Sequence, residues 1–202
     1  NYLTGYSAKK EYRKLLIAPI NLRQKFEKMI DREIEIHNKN KNGHLIFKMN
    51  SLVDAIIIKK LYQASQVGVK VDLIVRGICS LKPGIKGLSE NIRVISILGR
   101  FLEHSRVYYF HNDGNEEIYL GSADLMPRNL NQRVEIIFPV EDQVLVRQIK
   151  KNILDLYLQD NVKARIMKSD GTYVRLKPSS ARNAKNAQQI FIERASRKNQ
   201  ST

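Results

Sequence analysis

The sequence predicts an α/β sandwich with a mixed, largely parallel β-sheet flanked by helices. Two observations carry that expectation. Through the first half of the chain, β-branched and aromatic runs alternate with segments of helical periodicity, which implies βαβ units. In the second half, short strands follow one another across turn signals, which adds antiparallel pairs to the same sheet. A chain of 202 residues can bury a core without help from metal or disulfide.

The elements follow in order. "RKLLIAPI" is a short apolar strand ending at Pro19. Behind Asn21 as a cap, Leu22, Phe26, Met29, Ile30 and Ile34 recur at helical spacing up to residue 40. "HLIFKMN" is a second strand, "SLVDAIIIKKLYQASQVG" a helix closed by Gly68, and "VKVDLIVRG" a third strand. "ICSLKPGIKGLSEN" is a loop broken by Pro83 and two glycines. "IRVISIL" is a strand, and "RVYYFHNDGNEEIYLGSAD" a hairpin turning at Asp113-Gly114. "LNQRVEIIFPV" is a further strand, and "DQVLVRQIKKNILDLYLQ" a single closing helix.

Charge narrows the function. Lysine and arginine number 35 against 20 acids, a net charge of +15, so an anionic partner is expected. From Asn161 onward ten basic residues face only Asp170 and Glu193, which places about half of the net charge in the last fifth of the chain. Residues 1–178 are expected to form the folded domain, and 179–202 a basic tail, partly helical or disordered, with a short helix around residues 184–195. The lone Cys79 excludes an intrachain disulfide and suits a reducing compartment. No apolar run is long enough to span a bilayer. The chain opens on Asn1 without methionine, which suggests a piece of something longer.

In sheets of this kind ligands sit beyond the carboxyl ends of the strands. The polar residues there are Lys48 and Asn50 after the second strand, Arg76 after the third, Arg100, His104 and Arg106 around the first hairpin arm, and Ser122, Asp124, Arg128, Asn129 and Arg133 after the second. Five arginines aimed at one rim suit phosphate oxygens, which the guanidinium fork binds in bidentate fashion. His104 has the chemistry of a proton carrier or nucleophile, and equally of a histidine held in a turn. Asp124 is a ligand contact or an orienter of an arginine, and Glu103 either fixes the tautomer of the His104 imidazole or contacts backbone. Tyr108, Tyr109 and Phe110 alternate on a strand and are expected as core and sheet surface rather than as a base-stacking platform, Arg93 is expected in solvent, and His37 and His44 exposed and inert. No metal site is expected, since His37, His44, His104 and His111 lack ligand spacing with the cysteine. No Gly-rich phosphate loop occurs, because "RGICSLKPG" has the wrong spacing.

"HSRVYYF" followed by "YLGSADLMPRNL" resembles the phospholipase D superfamily pattern of a histidine, a basic residue two positions on and a later Gly-Ser pair. More closely, "KMNSLVD", "VDLIVRGICSLKPG", "LSENIRVISILGRFLEHSRVYYF" and "GSADLMPRNLNQRVE", in that order, resemble the C-terminal domain of the long bacterial polyphosphate kinases. The likeness runs from about Asn1 to Pro178. It implies a phospholipase D-like sandwich and an enzyme that reversibly transfers the terminal phosphate of ATP to inorganic polyphosphate, with Mg2+. In that family a phosphohistidine lies on the preceding domain, which is absent from this chain, so the chain alone is expected to be inactive. The resemblance carries nucleotide-phosphate contacts onto Arg76 and His104, with His104 as the catalytic candidate. It further implies ATP/ADP and polyphosphate as ligands, the remaining domains of the same polypeptide and a homo-oligomer as partners, no specific nucleic acid, and a cytoplasmic setting with any membrane contact peripheral, at the inner face.

The chain departs from the wider superfamily where lysine is replaced by Arg106 and aspartate by His111. A complete hydrolytic half-site is therefore missing. The alternative from a different class is a basic nucleic-acid-binding module on a phospholipase D-like fold, motivated by the +15 charge. A phosphodiesterase acting as a two-fold dimer is a third reading.

Overall fold

The computed structural model describes residues 12–198. The first eleven residues, where the expected resemblance begins, and the last four of the expected tail lie outside the described residues. The described strands are β1 (Leu16–Ala18), β2 (His44–Met49), β3 (Lys70–Val75), β4 (Ile92–Ile97), β5 (Arg106–Phe110), β6 (Glu117–Gly121), β7 (Glu135–Pro139), β8 (Ala164–Met167) and β9 (Tyr173–Arg175). The helices are α1 (Leu22–Asn40), α2 (Ala55–Val67), α3 (Pro127–Asn131), α4 (Gln143–Ile149), α5 (Asp155–Leu158) and α6 (Ala187–Lys198).

One sheet runs in the order β1-β7-β6-β5-β2-β3-β4-β8-β9. It is mixed and flanked by helices, as expected, but the expectation of a largely parallel sheet is corrected. Only β2–β3 and β3–β4 pair in parallel, where α2 and the long loop provide crossovers. Every other pair is antiparallel: β5 returns as β6 through a short connection, β6 returns as β7 through the segment that carries α3, and β8 turns straight back into β9 at Gly171.

Period-two alternation buries both faces of this sheet. Leu45, Phe47, Leu73, Tyr108 and Phe110 face α1 and α2, while Ile46, Ile74, Ile95, Val107 and Tyr109 face Leu154, Tyr157 and Ala187. Tyr108, Tyr109 and Phe110 are core residues. Phe26, Phe47, Tyr108 and Phe110 interlock with ring centroids 5.0–5.8 Å apart.

Several element boundaries differ from expectation for local reasons. Asn21 does not cap α1 with its side chain; its Oδ1 accepts the Ile17 N–H at 2.8 Å and ties β1 to the helix start. Asp54 caps α2, accepting from the N–H groups of Ile56 and Ile57 at 3.1 Å, so residues 51–54 belong to the loop after β2. Gly68 closes α2 in the left-handed region, as expected (φ 107°). The segment 130–140 divides into α3 and β7, and the closing helix contains a π-helical stretch over Lys150–Leu154 between α4 and α5. The segment expected as a basic tail carries α6, whose Ala187 and Gln188 are buried.

Three of the histidine and arginine expectations are corrected. His37 is buried on α1, and its Nδ1 accepts the Gly43 N–H at 3.0 Å. His44 is half-buried, with Nε2 2.8 Å from Asp72 Oδ2. Arg93 is half-buried and donates to the Leu158 carbonyl at 3.3 Å.

Candidate functional site

The carboxyl ends of β2, β3, β4 and β6 and the start of β5 reach one rim of the sheet, so residues distant in sequence meet there. The loops behind them are knitted together by backbone bonds: Leu52 N–H donates to Ile78 O, and Val53 and Asp54 N–H both donate to Leu125 O. The rim residues stand on a fixed backbone platform.

Lys48 closes β2 with its ammonium almost buried. Nζ donates to Ser105 Oγ at 2.8 Å, lies 3.3 Å from Glu103 Oε2 and sits 5.0 Å from the centre of the Tyr157 ring. Burial holds its pKa below the ordinary lysine value, Glu103 partly offsets that, and Arg76 and Arg106 add to the lowering. Glu103 also accepts from the Tyr157 hydroxyl and from Gln188 Nε2. Glu103 is therefore not the partner of the His104 imidazole.

Arg76 leaves β3 into the same cleft, which Lys48, Ile97, Glu103 and Tyr157 also line. Its Nε donates to Asn50 Oδ1 at 3.0 Å, and among the described residues no acid pairs with its guanidinium. The Asn50 N–H in turn donates to Asp124 Oδ1 at 2.7 Å. Asp124 accepts Arg106 Nε at 3.2 Å and Arg106 Nη2 at 2.9 Å, so it orients an arginine, one of the two expected alternatives. Burial pushes the Asp124 carboxyl up, but the Arg106 bonds and the Asn50 and Ser51 N–H groups outweigh it and leave the pKa low.

The remaining Arg106 nitrogen, Nη1, contacts His104 Nδ1 and the His104 carbonyl, each at 2.8 Å. A guanidinium can only donate, so Nδ1 accepts and the neutral ring carries its proton on Nε2. His104 itself is exposed. The geometry offers an N–H donor to an incoming oxyanion.

Beside this chain, Ser122 Oγ and Asn129 Nδ2 both donate to the buried Glu135, the latter at 2.6 Å. Those two residues are therefore engaged within the fold. Arg100, Arg128 and Arg133 are exposed and form no ion pair among the described residues, Arg100 lying 5.6 Å from the Phe101 ring centre. Four arginines of the rim, counting Arg76, thus lack an acidic partner. Among the described residues no group of three or more His, Cys, Asp or Glu converges to hold a metal ion.

The sequence reading missed Glu103 as the hub of the cleft, together with Ser105, Tyr157 and Gln188. Strand-end position reveals Lys48 and Arg76. Nothing local in a closing helix or a basic terminal segment marks Tyr157 or Gln188 as site support.

A polyphosphate kinase from Prosthecochloris aestuarii is 57% identical over 98% of this chain, which covers 27% of that protein. Polyphosphate kinase 1 from Chlorobaculum tepidum is 52% identical over the whole chain, which covers 28% of it. The chain thus spans about a quarter of the length of these curated relatives. The crystal structure of polyphosphate kinase from Porphyromonas gingivalis superposes over all of this chain and 31% of that one, with TM-score 0.92 and 39% identity. A phospholipase D family member, Nuc from Salmonella typhimurium, covers 77% of this chain and 97% of its own, with TM-score 0.55 at 15% identity, and so shares the fold. The family model "Polyphosphate kinase C-terminal domain 2" matches residues 15–188, and the chain belongs to that family.

Proposed function

We propose that this chain is the nucleotide- and polyphosphate-binding C-terminal part of a polyphosphate kinase, an enzyme that reversibly transfers the terminal phosphate of ATP to inorganic polyphosphate. The observation that carries the reading is the linked path Arg76–Asn50–Asp124–Arg106–His104, bordered by arginines that have no acidic partner among the described residues. Phosphoryl transfer asks the protein for positioning and charge neutralisation more than for covalent work. Arg76 supplies a guanidinium free to grip phosphoryl oxygens, Lys48 a buried positive charge, and His104 an Nε2–H donor. Arg100, Arg128 and Arg133 extend the positive rim toward a longer polyanion.

Asp124 and Asn50 act on the ligand by holding Arg106 and Arg76. Mg2+ would neutralise nucleotide phosphates, but the described residues of this rim do not form a ligand set for it. His104 has neither the lysine nor the aspartate of a hydrolytic half-site around it. The chain alone is accordingly a binder rather than a polymer-forming enzyme, and it acts with the remaining domains of its polypeptide, in a homo-oligomer, in the cytoplasm with no more than peripheral membrane contact.

Calorimetric titration of the chain with ATP and with long-chain polyphosphate tests this reading, with duplex DNA at two salt concentrations as the control. Binding that is lost in Arg76→Ala and weakened in His104→Ala supports it. Equal binding of every polyanion, unchanged by either substitution, would move the activity to the basic C-terminal segment and favour the nucleic-acid alternative.

A further inference from the structure

The loop that carries His104, residues 98–105, leaves β4 and enters β5 without regular structure. Among the described residues its backbone takes no part in backbone–backbone hydrogen bonds. Phe101, Leu102 and His104 are exposed. A loop of this kind samples many conformations unless side chains hold it, and an unheld loop cannot present His104 in one place.

The holding groups come from the far end of the chain. Gln188, in the first turn of α6 and 4% exposed, addresses the loop with both ends of its amide. Oε1 accepts the Phe101 N–H at 3.0 Å, and Nε2 donates to the Phe101 carbonyl and to Glu103 Oε1, each at 2.9 Å. The approach is close enough that a Cβ on Gly99 would stand 2.3 Å from Gln188 Oε1, so a larger residue there would push the Gln188 amide out of its bonded position. A second contact reinforces the first. Phe191 of α6 packs on Tyr157 with ring centres 5.2 Å apart, and the Tyr157 hydroxyl bonds Glu103, which holds Lys48.

α6 is itself anchored. The buried Asp160 accepts the Ala187 N–H at 2.8 Å and also the N–H groups of Val162, Lys163 and Ala164 at the start of β8. The sheet edge, the last helix and the His104 loop are thus one mechanical unit.

We propose that Gln188 is a positioning residue for the phosphate site: α6 holds loop 98–105 through the Gln188 amide, and this sets where His104 and Glu103 stand relative to Arg76. The proposal rests on the reading of the rim as a phosphate site. It makes the C-terminal helix part of the ligand-binding apparatus rather than a charged appendage.

The test compares the 202-residue chain with Gln188→Met, which keeps the length of the side chain and removes its hydrogen bonds. A second variant, Gly99→Ala, displaces the same amide from the loop side. Amide hydrogen exchange is followed without ligand, and tripolyphosphate affinity and the His104 ring resonances are followed by NMR well below the melting temperature. The expected result is Phe101 exchange faster by about tenfold or more in both variants, with the amides of Leu73 and Val94 unchanged. Tripolyphosphate binding should weaken by about five- to twentyfold, with an altered His104 response, because hydrogen bonds that position the site are lost.

Unchanged Phe101 exchange overturns the proposal, as does faster exchange with affinity and His104 response intact, which would make Gln188 a purely structural cap. If the unmodified chain binds no tripolyphosphate, the phosphate-site reading falls and takes this role of Gln188 with it. Loss of the effect in the variants alone, with the unmodified chain binding, falls on Gln188 and leaves that reading standing.

Discussion

Arg76 and His104 lie on different loops, yet an unbroken hydrogen-bonded path joins them through Asn50, Asp124 and Arg106, with links of 3.0, 2.7, 2.9 and 2.8 Å. Asp124 is the middle of that path, 7% exposed, and the anchor of Arg106. Replacing it by alanine leaves a largely buried guanidinium without its anion, a change that costs about 3 kcal/mol or more. Asp124→Ala should therefore lower the denaturation midpoint and also weaken tripolyphosphate binding. An unchanged midpoint would show that Arg106 finds water or another acceptor at no cost.

Acid should act through the same carboxylate. The Asp124 pKa is held low in the fold, where burial raises it but Arg106 and two backbone N–H groups outweigh burial. An unfolded aspartate titrates near pH ~3.9. A depressed folded value means that the stabilisation is fully present above the unfolded pKa and is lost as pH falls through the folded one. The stability difference between the native chain and Asp124→Asn should shrink steadily below about pH 4. Urea midpoints measured across that range check it, and a constant difference would contradict the assignment.

Lys48 places a rise of the same sign in the alkaline range. Burial holds its pKa below that of an ordinary lysine, with Glu103 pulling it back up. The folded chain gives up this proton before the unfolded one does, so this group's contribution to stability rises with pH between its lowered value and about 10.4. Removing the Glu103 charge should lower the Lys48 value further. NMR titration of the Lys48 side chain in the native chain and in Glu103→Gln reads this directly, and a pKa that rises in the variant would refute the pairing.

How far the site was legible follows from where each residue sits. Lys48, Asn50, Arg76 and Arg106 stand at strand ends, and the strand-end rule finds such positions from pattern alone. His37 was misplaced because the polar "NKNKNG" segment beside it looks like solvent, although Phe26, Ile30, Glu33 and His37 continue one helical stripe that all proves buried. β8 and β9 escaped notice because they have four and three residues, and β9 is exposed throughout. The pairing of β8 to β4 is a long-range fact that no local window contains. Tyr157 and Gln188 reach the site only through tertiary packing.

The Gly-Ser pair after the hairpin divides into two separate roles. Ser122 bonds Glu135, but Gly121 is required by the sheet itself: a Cβ there would lie 2.3 Å from the Ile136 carbonyl and 2.8 Å from Ile137 Cα. Backbone cannot yield as a flexible side chain can, so Gly121→Ala should destabilise by about 1–3 kcal/mol through overpacking. Thermal melting checks this, and the loss should appear without any ligand. A neutral substitution would mean that β7 shifts freely against β6.

On the edge hairpin, Arg165 of β8 stands directly opposite Arg175 of β9, and both are exposed. Like charges in directly opposed positions repel, and opposite charges there contribute roughly 0.2–1 kcal/mol. Arg175 relieves part of this by donating Nε and Nη2 to the Val162 carbonyl, at 3.2 and 2.9 Å, whereas among the described residues no acid pairs with Arg165. Arg165→Glu should therefore raise stability by a few tenths of a kcal/mol up to about 1 kcal/mol, and more at low salt than at high salt. Melting curves at two ionic strengths decide it. A gain that grows with salt would mean that packing, not charge, governs this pair. A loss at both salts would mean that the Arg165 stem covers apolar surface that glutamate cannot reach.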